Sequence, residues 1–225
     1  MKTREILTSG LDIMGIAVDD PAIDRLCRYY EELAKWNLKM NLVAKASAQE
    51  ILENHFLDSL TLLPHIRSLS APKNLLDVGT GAGFPGLALK TVCPDLAVTL
   101  VEPRQKRVGF LRHIVRTLGL DNVNIIEARL EPGPDKHKNI KGSFSIITCR
   151  ALTRIDTFLE LVKKYSPEGG MVICMKGPKG EEEIENWGRE KAKIPFALTA
   201  THTHELPFSK AARRLIVFTK ADQRI

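Results

Sequence analysis

Four glycines within eight residues follow an aspartate, and this cluster is the part of the sequence best suited to bind a ligand. They are Gly79, Gly81, Gly83 and Gly86 in the stretch "NLLDVGTGAGFPGLAL", which also contains Asp77. The chain has only 15 glycines in 225 residues, so the cluster is local. Its apolar flanks predict a strand before the loop and a helix after it. Such a turn exposes backbone N–H groups at the positive end of a helix dipole, and we therefore predict a cofactor loop.

Two alignments of the loop compete. In the first, three of the glycines form G-x-G-x-x-G, the pattern of dinucleotide-binding loops. That alignment places Gly79 inside the strand, where glycine weakens pairing. In the second, Asp77 ends the strand and begins an acidic-x-G-x-G-x-G pattern, which is typical of class I S-adenosylmethionine methyltransferases. The second alignment accounts for Asp77, so the methyl donor is favoured.

Glu102 ends the next predicted strand, in "VTLVEPR". A carboxylate at that place can bind two ribose hydroxyls of a dinucleotide or of a methyl donor. Glu102 therefore indicates a nucleoside ligand without deciding between the two cofactors.

The segment "FSIITCRAL" contains the fourth predicted strand and its carboxyl end, where methyltransferases of this class place their acceptor. It lacks the Asn/Asp-Pro-Pro-aromatic stretch of enzymes that methylate exocyclic amines, and Cys149 lacks the preceding proline of cytosine C5 enzymes. A guanine N7 has a free lone pair and needs no general base, so this absence favours N7 as acceptor. The Arg150 guanidinium could bind a phosphate, guanine O6 or the cofactor.

Charge and composition place limits on partners and surroundings. The net charge of +6 permits a polyanionic partner, and basic residues concentrate in "EPRQKRVGFLRHIVR" and "SKAARR". The four cysteines form no CxxC pair, which argues against a metal site and fits free thiols in the cytoplasm. No apolar run is long enough for a membrane span, and the N-terminus lacks an apolar signal core.

Periodicity predicts an α/β protein with a helical N-terminal extension. Residues 20–66 read as mainly helical, interrupted at "WNLKMNLVA". Beyond "SLSAPKN", strands and helices alternate, which predicts a mostly parallel seven-stranded sheet with helices on both faces. Only "LPFSKAA" joins the last two strands, so they should form an antiparallel hairpin. We expect a helical extension at 1–70 and a Rossmann-like class I methyltransferase domain at 71–225. The predicted strands are Leu75–Val78, Ala97–Val101, Val123–Ile126, Phe144–Cys149, Met171–Met175, Ala197–Glu205 and Leu215–Thr219, and the predicted helices between them are Gly86–Val92, Gln105–Leu118, Arg154–Tyr165 and Glu181–Ala192.

From about residue 30 to 220 the chain resembles the RsmG (GidB) family of bacterial 16S ribosomal RNA guanine-N7 methyltransferases. The resemblance is carried, in order, by "WNLKMNLVA", "HFLDSL", "LLDVGTGAGFPGLAL", "KRVGFLR", "EARLE", "TCRAL" and "RRLIVFTK". The Phe-Pro-Gly after the third loop glycine is more specific than the glycines themselves. Where many members carry Asp-Ser-Leu this chain has Glu-Pro-Arg, which keeps the acid.

The resemblance implies that S-adenosyl-L-methionine binds in this chain and leaves as S-adenosyl-L-homocysteine. Gly79 and Phe84 would contact it, and Leu130 and Glu131 of "EARLE" would flank the adenine. Asp77, Gly81 and Glu102 belong to the same predicted site. Arg150 would lie at the junction of cofactor and substrate.

The resemblance also implies a catalytic and substrate-binding role for Arg213, although its neighbour Arg214 could take that place. Strand alternation allows only one of the two to point at the site. Lys176 and Asn41 are further substrate-binding candidates, and Asn37 is a possible polar contact. The "WNLKMNLVA" stretch fits a packing motif around Trp36 better than it fits a substrate-binding element. His55 and Asp58, three residues apart, fit a local structural pair better than a substrate contact.

The resemblance implies methylation of a loop guanine of 16S ribosomal RNA near the decoding centre. The partner would be that RNA or the small ribosomal subunit, and we expect a cytoplasmic monomer. A methyltransferase for a small molecule remains an alternative, because the fold does not determine the acceptor. A non-catalytic nucleotide-binding module is a third possibility.

Overall fold

The computed structural model describes residues 2–69, 73–131, 139–189 and 194–221. Within them, seven strands form one sheet in the order β3-β2-β1-β4-β5-β7-β6. Strands β1 to β5 pair in parallel, whereas β7 runs antiparallel to both β5 and β6. The mostly parallel sheet and the antiparallel C-terminal hairpin are therefore confirmed. The strands are β1 (Asn74–Val78), β2 (Ala97–Val101), β3 (Val123–Ile126), β4 (Ile146–Arg150), β5 (Met171–Lys176), β6 (Phe196–Glu205) and β7 (Ala212–Lys220).

Helices cover both faces of the sheet, as predicted. The helices are α1 (Thr3–Met14), α2 (Asp20–Met40), α3 (Ala48–Ile51), α4 (Asp58–Leu60), α5 (Leu63–Ser68), α6 (Gly86–Val92), α7 (Gln105–Leu118), α8 (Ile155–Val162) and α9 (Gly180–Arg189). A π-helical turn, Leu52–Leu57, joins α3 to α4. Strand side chains alternate between two hydrophobic clusters: Leu75 faces the cluster of α1, α2, α6 and α7, and Leu76 faces the cluster of α8 and α9.

The N-terminal helices are continuous in packing with the sheet. Asp19 caps α2 by accepting a hydrogen bond from the Ala22 N–H at 2.9 Å. Leu26 and Leu33, on one face of α2, are fully buried in the same cluster as the sheet residue Leu75. The division at residue 70 remains a prediction, and residues 70–72 lie outside the described residues.

Several predicted ends shift by a few residues. Helix α1 was not predicted as a separate element. Strand β4 begins at Ile146 rather than Phe144, because the Phe144 N–H donates to the Tyr165 carbonyl at 2.8 Å instead of to a strand. Helix α8 ends at Val162 and not at Tyr165. The predicted end of α9 at Ala192 lies outside the described residues.

Candidate active site

A cavity of about 940 Å³ opens at the carboxyl ends of β1, β2, β4 and β5. This is the edge where open α/β sheets bind ligands. One end of the cavity, which we call the glycine end, is lined by Gly79, Gly81, Glu102 and Leu130. The other, the arginine end, is lined by Asn54, His55, Asp58, Arg150 and Arg213.

The glycine loop has the backbone geometry that only glycine adopts easily. Gly79, Gly81 and Gly83 have φ angles of 74°, 61° and 95°. A Cβ on Gly79 would lie 2.7 Å from Leu152 Cδ1, and one on Gly81 would lie 3.6 Å from Arg107 Nη1. The bare backbone of Gly81 therefore faces the cavity with room beside it.

Asp77 holds the loop from below. Its Oδ2 accepts hydrogen bonds from Thr80 Oγ1 at 2.6 Å and from the Gly86 N–H at 2.8 Å. Its Oδ1 is buried and receives no hydrogen bond from the described residues. Burial raises the pKa of Asp77 from 3.8 to about 6. Asp77 is fully buried and is not among the residues that line the cavity, so it lies behind the cavity wall.

Glu102 faces the loop from the end of β2. Its Oε2 accepts a hydrogen bond from the Gly81 N–H at 3.0 Å, and its Oε1 accepts one from the Arg104 N–H at 3.0 Å. Arg107 Nη1 lies 3.9 Å from Oε2. Each oxygen has a further lone pair, so the carboxylate can still accept hydrogen bonds from a ligand.

Phe84 joins the glycine loop to the N-terminal helices. Its ring stacks on Tyr29 with centroids 5.4 Å apart and on His55 at 5.2 Å. Arg150 Cζ lies 5.6 Å from the Phe84 ring centre, within cation–π distance. Phe84 is only 2% exposed, so its ring serves mainly as a packing surface between loop and helices.

Arg150 ends β4 and binds the π-helical turn. Its Nη1 donates to the Asn54 carbonyl at 2.6 Å and lies 3.4 Å from Asp58 Oδ2, and its Nη2 donates to His55 Nδ1 at 2.7 Å. Three of its five N–H donors are thus used by described residues, and two remain for a ligand.

His55 and Asp58 are therefore more than the local pair expected from their spacing. Burial, followed by the charges of Arg150 and Arg213, lowers the pKa of His55 from 6.5 to about 3. Burial raises the pKa of Asp58, and the same two arginines oppose that rise. The neutral imidazole is a poor general base, and the carboxylate serves as counter-ion to both guanidinium groups.

Arg213 and Arg214 separate as strand alternation requires. Arg213 Nη2 donates to Asn54 Oδ1 at 2.9 Å, and its Nε lies 3.7 Å from Asp58 Oδ1. Arg214 Nη2 instead donates to Glu181 Oε2 at 2.9 Å on α9. Both side chains line the cavity, but Arg213 is the one that joins Arg150 at the arginine end.

The remaining predicted residues differ in placement. Leu130 and Glu131 line the cavity in the irregular segment after β3. Lys176 also lines it, but its Nζ donates to the Thr153 carbonyl at 2.6 Å and to Glu183 Oε2 at 2.8 Å. Asn41 is exposed, ends α2 and is not among the lining residues.

Two further residues were missed in the sequence. Asn54 binds both arginines, through its carbonyl and its side chain. Glu53 is 2% exposed, and its Oε1 accepts hydrogen bonds from the N–H groups of Phe208 and Ser209 at 2.6 and 2.8 Å. Glu53 and Asn54 come directly before "HFLDSL", and this position was the available signal. Spacing alone did not reveal contacts with residues so distant in the chain.

Comparison with known proteins decides the family. The family model described as rRNA small subunit methyltransferase G (GidB) matches residues 22–216. The chain belongs to this family. The ribosomal RNA small subunit methyltransferase G of Desulfotalea psychrophila is 44% identical over 212 residues, covering 94% of this chain and 95% of that protein. That of Myxococcus xanthus is 37% identical over 215 residues, covering 95% of each.

Solved structures agree on the fold of this family member. A SAM-dependent methyltransferase from Aquifex aeolicus superposes with a TM-score of 0.54 at 21% identity, covering 76% of this chain and 93% of that one. TrmN from Thermus thermophilus gives a TM-score of 0.56 at 17% identity, covering 73% of this chain and 48% of that one. The predicted Rossmann-like methyltransferase fold is confirmed.

Two features are absent from the described ranges. They contain no helix with the length and apolarity that crossing a bilayer requires. Nor do they contain three or more His, Cys, Asp or Glu side chains grouped as metal ligands.

Proposed function

We propose that this protein transfers a methyl group from S-adenosyl-L-methionine to N7 of a loop guanine in 16S ribosomal RNA, near the decoding centre. The observation that carries the proposal is that one cavity joins a bare glycine loop to a pair of arginines, while the histidine of its described lining, His55, has a pKa of about 3 and stays neutral. Family membership supports an RNA acceptor, because the relatives are named as ribosomal RNA methyltransferases.

The glycine end fits the methyl donor. Glu102 has lone pairs for two ribose hydroxyls, and the Gly81 backbone can be approached closely. Ala128, Leu130 and Leu152 offer apolar surface for the adenine. When bound, S-adenosyl-L-methionine supplies an electrophilic methyl group on a sulfonium. Asp77 acts indirectly in this assignment, by fixing the loop from beneath.

The arginine end fits a guanine in RNA. Guanine presents O6 and N7 as neighbouring acceptors, and N7 can attack a methyl group without losing a proton. A hydrogen bond from a remaining N–H of Arg150 to O6 would orient the base and leave N7 available. Arg213 would bind a backbone phosphate or the same base edge. Catalysis then comes from orientation and charge placement rather than from proton transfer.

A loop is the expected setting of the target, because A-form grooves hide base edges from side chains. Exposed basic residues at the cavity rim, Arg104 and Arg129, would bind phosphates without reading sequence. We propose action in the cytoplasm, by a monomer. Asn41, outside the cavity lining, could contact only RNA that extends beyond it.

The proposal is tested with unmodified 16S ribosomal RNA, the small subunit that contains it, and labelled donor, followed by nucleoside mass analysis. We expect 7-methylguanosine at one loop position. A matched RNA fragment with carbon in place of N7 at that guanine should accept no methyl group. Methylation of that control, of another nucleoside, or of small molecules only would contradict the proposal.

A further inference from the structure

The turn of residues 53–58 contacts both arginines of the site and the hairpin that carries one of them. Asp58 lies between the two guanidinium groups, 3.4 Å from Arg150 Nη1 and 3.7 Å from Arg213 Nε. These arginines belong to different strands, β4 and β7, which are not neighbours in the sheet because β5 lies between them. The 53–58 turn therefore bridges them from outside the sheet.

Asn54 adds a second bridge between the same two side chains. Its carbonyl accepts from Arg150 Nη1 at 2.6 Å, and its Oδ1 accepts from Arg213 Nη2 at 2.9 Å. Asn54 is itself held, since its Nδ2 donates to the Glu50 carbonyl at 2.9 Å. Both arginines are thus hydrogen-bonded to one residue of a rigid turn.

Glu53 fixes the same turn to the β6–β7 hairpin. Its Oε1 accepts hydrogen bonds from the Phe208 and Ser209 N–H groups, which lie in the connection between the two strands. Arg213 follows a few residues later, near the start of β7. The 53–58 turn consequently holds the hairpin backbone that carries Arg213 and also supplies the hydrogen-bond partner of its guanidinium.

The buried charge of Asp58 is costly for stability alone. Asp58 is 3% exposed, and replacing all members of a buried ion pair with well-packed apolar residues of similar volume is often neutral or stabilising. The buried Asp58 carboxylate is better explained by the side chains that it orients than by a gain in stability. Asp58 faces Arg150, Arg213 and His204.

We propose that the 53–58 turn is a positioning element, in which Asp58 and Asn54 hold Arg150 and Arg213 in one fixed relative orientation at the arginine end. This inference rests on the proposed function, in which those arginines orient the acceptor base. Asp58 and Asn54 act through the arginines and do not themselves react.

A double-mutant cycle with Asp58→Asn and Arg213→Lys tests the proposal. We expect Asp58→Asn to lower kcat/KM for RNA by about tenfold to 100-fold, the size of loss that misplacement of a catalytic group produces. The double variant should fall no more than about twofold below Arg213→Lys alone, because coupled residues are not additive. Fully additive losses would overturn the proposal. The matched control Asp24→Asn, at an exposed pair with Arg4, should match wild type.

Two readouts separate positioning from general damage. Calorimetry with S-adenosyl-L-homocysteine should show donor-site affinity within about twofold of wild type in Asp58→Asn. Hydrogen exchange by NMR should show faster exchange of the Arg150 and Arg213 guanidinium protons in that variant. Unchanged exchange would overturn the proposal. If Asp58→Asn does not fold, Asn54→Ala replaces it in the same cycle. Its backbone carbonyl still accepts from Arg150, so faster exchange is then expected for the Arg213 protons, and unchanged exchange of those protons would overturn the proposal.

The exchange measurement is independent of RNA methylation. If the wild-type protein methylates no RNA, the proposed function fails while faster exchange in Asp58→Asn still supports the positioning role. If wild type methylates RNA and the cycle is additive, the proposed function stands and the positioning role fails.

Discussion

Arg150 donates a hydrogen bond from Nη2 to Nδ1 of His55 across 2.7 Å, and this contact requires the acceptor nitrogen of His55 to be unprotonated. Burial, followed by the charges of Arg150 and Arg213, lowers the pKa of His55 to about 3 and keeps that nitrogen unprotonated. The histidine thus acts as a fixed hydrogen-bond acceptor of the arginine end and not as a proton carrier.

The lowered pKa of His55 makes the stability of the folded protein depend on pH. Its folded pKa of about 3 lies below the ordinary 6.5, so the unfolded chain binds the proton first as pH falls. Stability is therefore complete above 6.5 and is lost as pH falls toward 3. At about pH 5 the loss should be about 2 kcal/mol. Denaturant unfolding of wild type and His55→Asn, whose Oδ1 can still accept from Arg150, should show a weaker acid loss in the variant. Equal acid loss in both would contradict the assignment.

Asp77 should show the opposite dependence. Its folded pKa of about 6 lies above the ordinary 3.8, so the folded protein holds the proton more tightly and its stability falls as pH rises from 3.8 to about 6. Asp77→Asn removes this ionisation and should abolish a change of about 2 kcal/mol over that interval. Unfolding curves measured across the interval provide the check, and a variant that retains the full slope would show that another group titrates.

Gly81 should matter for donor binding more than for folding. Among the described residues, a methyl group there meets only Arg107, at ordinary contact distance, although the φ of 61° adds strain. Gly81→Ala should cost about 1 to 3 kcal/mol of stability and weaken S-adenosyl-L-homocysteine binding by about tenfold or more. Gly109→Ala is the matched control, because Gly109 lies in α7 and its added Cβ meets no atom within 4 Å. Equal affinities of the two variants in calorimetry would refute the loop assignment.

Adjacent arginines should differ in their effect on catalysis. Arg213→Lys removes the fork that binds Asn54 and faces Asp58, so kcat/KM for RNA should fall by about 100-fold. Arg214→Lys disturbs an ion pair with the exposed Glu181, and it should change kcat/KM for RNA by about fivefold or less. Steady-state kinetics of both variants measure the contrast. A larger loss in Arg214→Lys would reverse the assignment.

Salt dependence should distinguish two cations of the cavity. Arg104 is exposed at the rim, and Arg104→Gln should reduce the slope of log affinity against log salt for RNA by about one. The Lys176 side chain is 8% exposed and its ammonium is bound to Glu183, so Lys176→Gln should leave that slope unchanged. Titration of RNA at several salt concentrations gives both slopes. A reduced slope in Lys176→Gln would restore this lysine as a phosphate contact.

Local pattern was enough to predict the sheet and the glycine loop. Alternating apolar strands and helices determine a parallel sheet, and the positive φ values at Gly79, Gly81 and Gly83 are the reason for glycine at those positions. Strand alternation also predicted that only one of Arg213 and Arg214 points at the site, without saying which. Both residues line the cavity, and Arg213 is the one that contacts Asn54 and Asp58. Ends such as the start of β4 shifted because a loop contact, Phe144 to Tyr165, competed with strand pairing.

The sequence by itself determined the family, the fold and the position of the glycine loop, because these depend on short-range spacing of residue types. Only the tertiary structure decided the arginine end. Asn54 and Asp58 meet Arg150 and Arg213 across long stretches of chain, and Glu53 meets the hairpin across 155 residues. Hydrogen bonds of that kind leave no periodic trace in the sequence, since they arise where separate elements pack against each other.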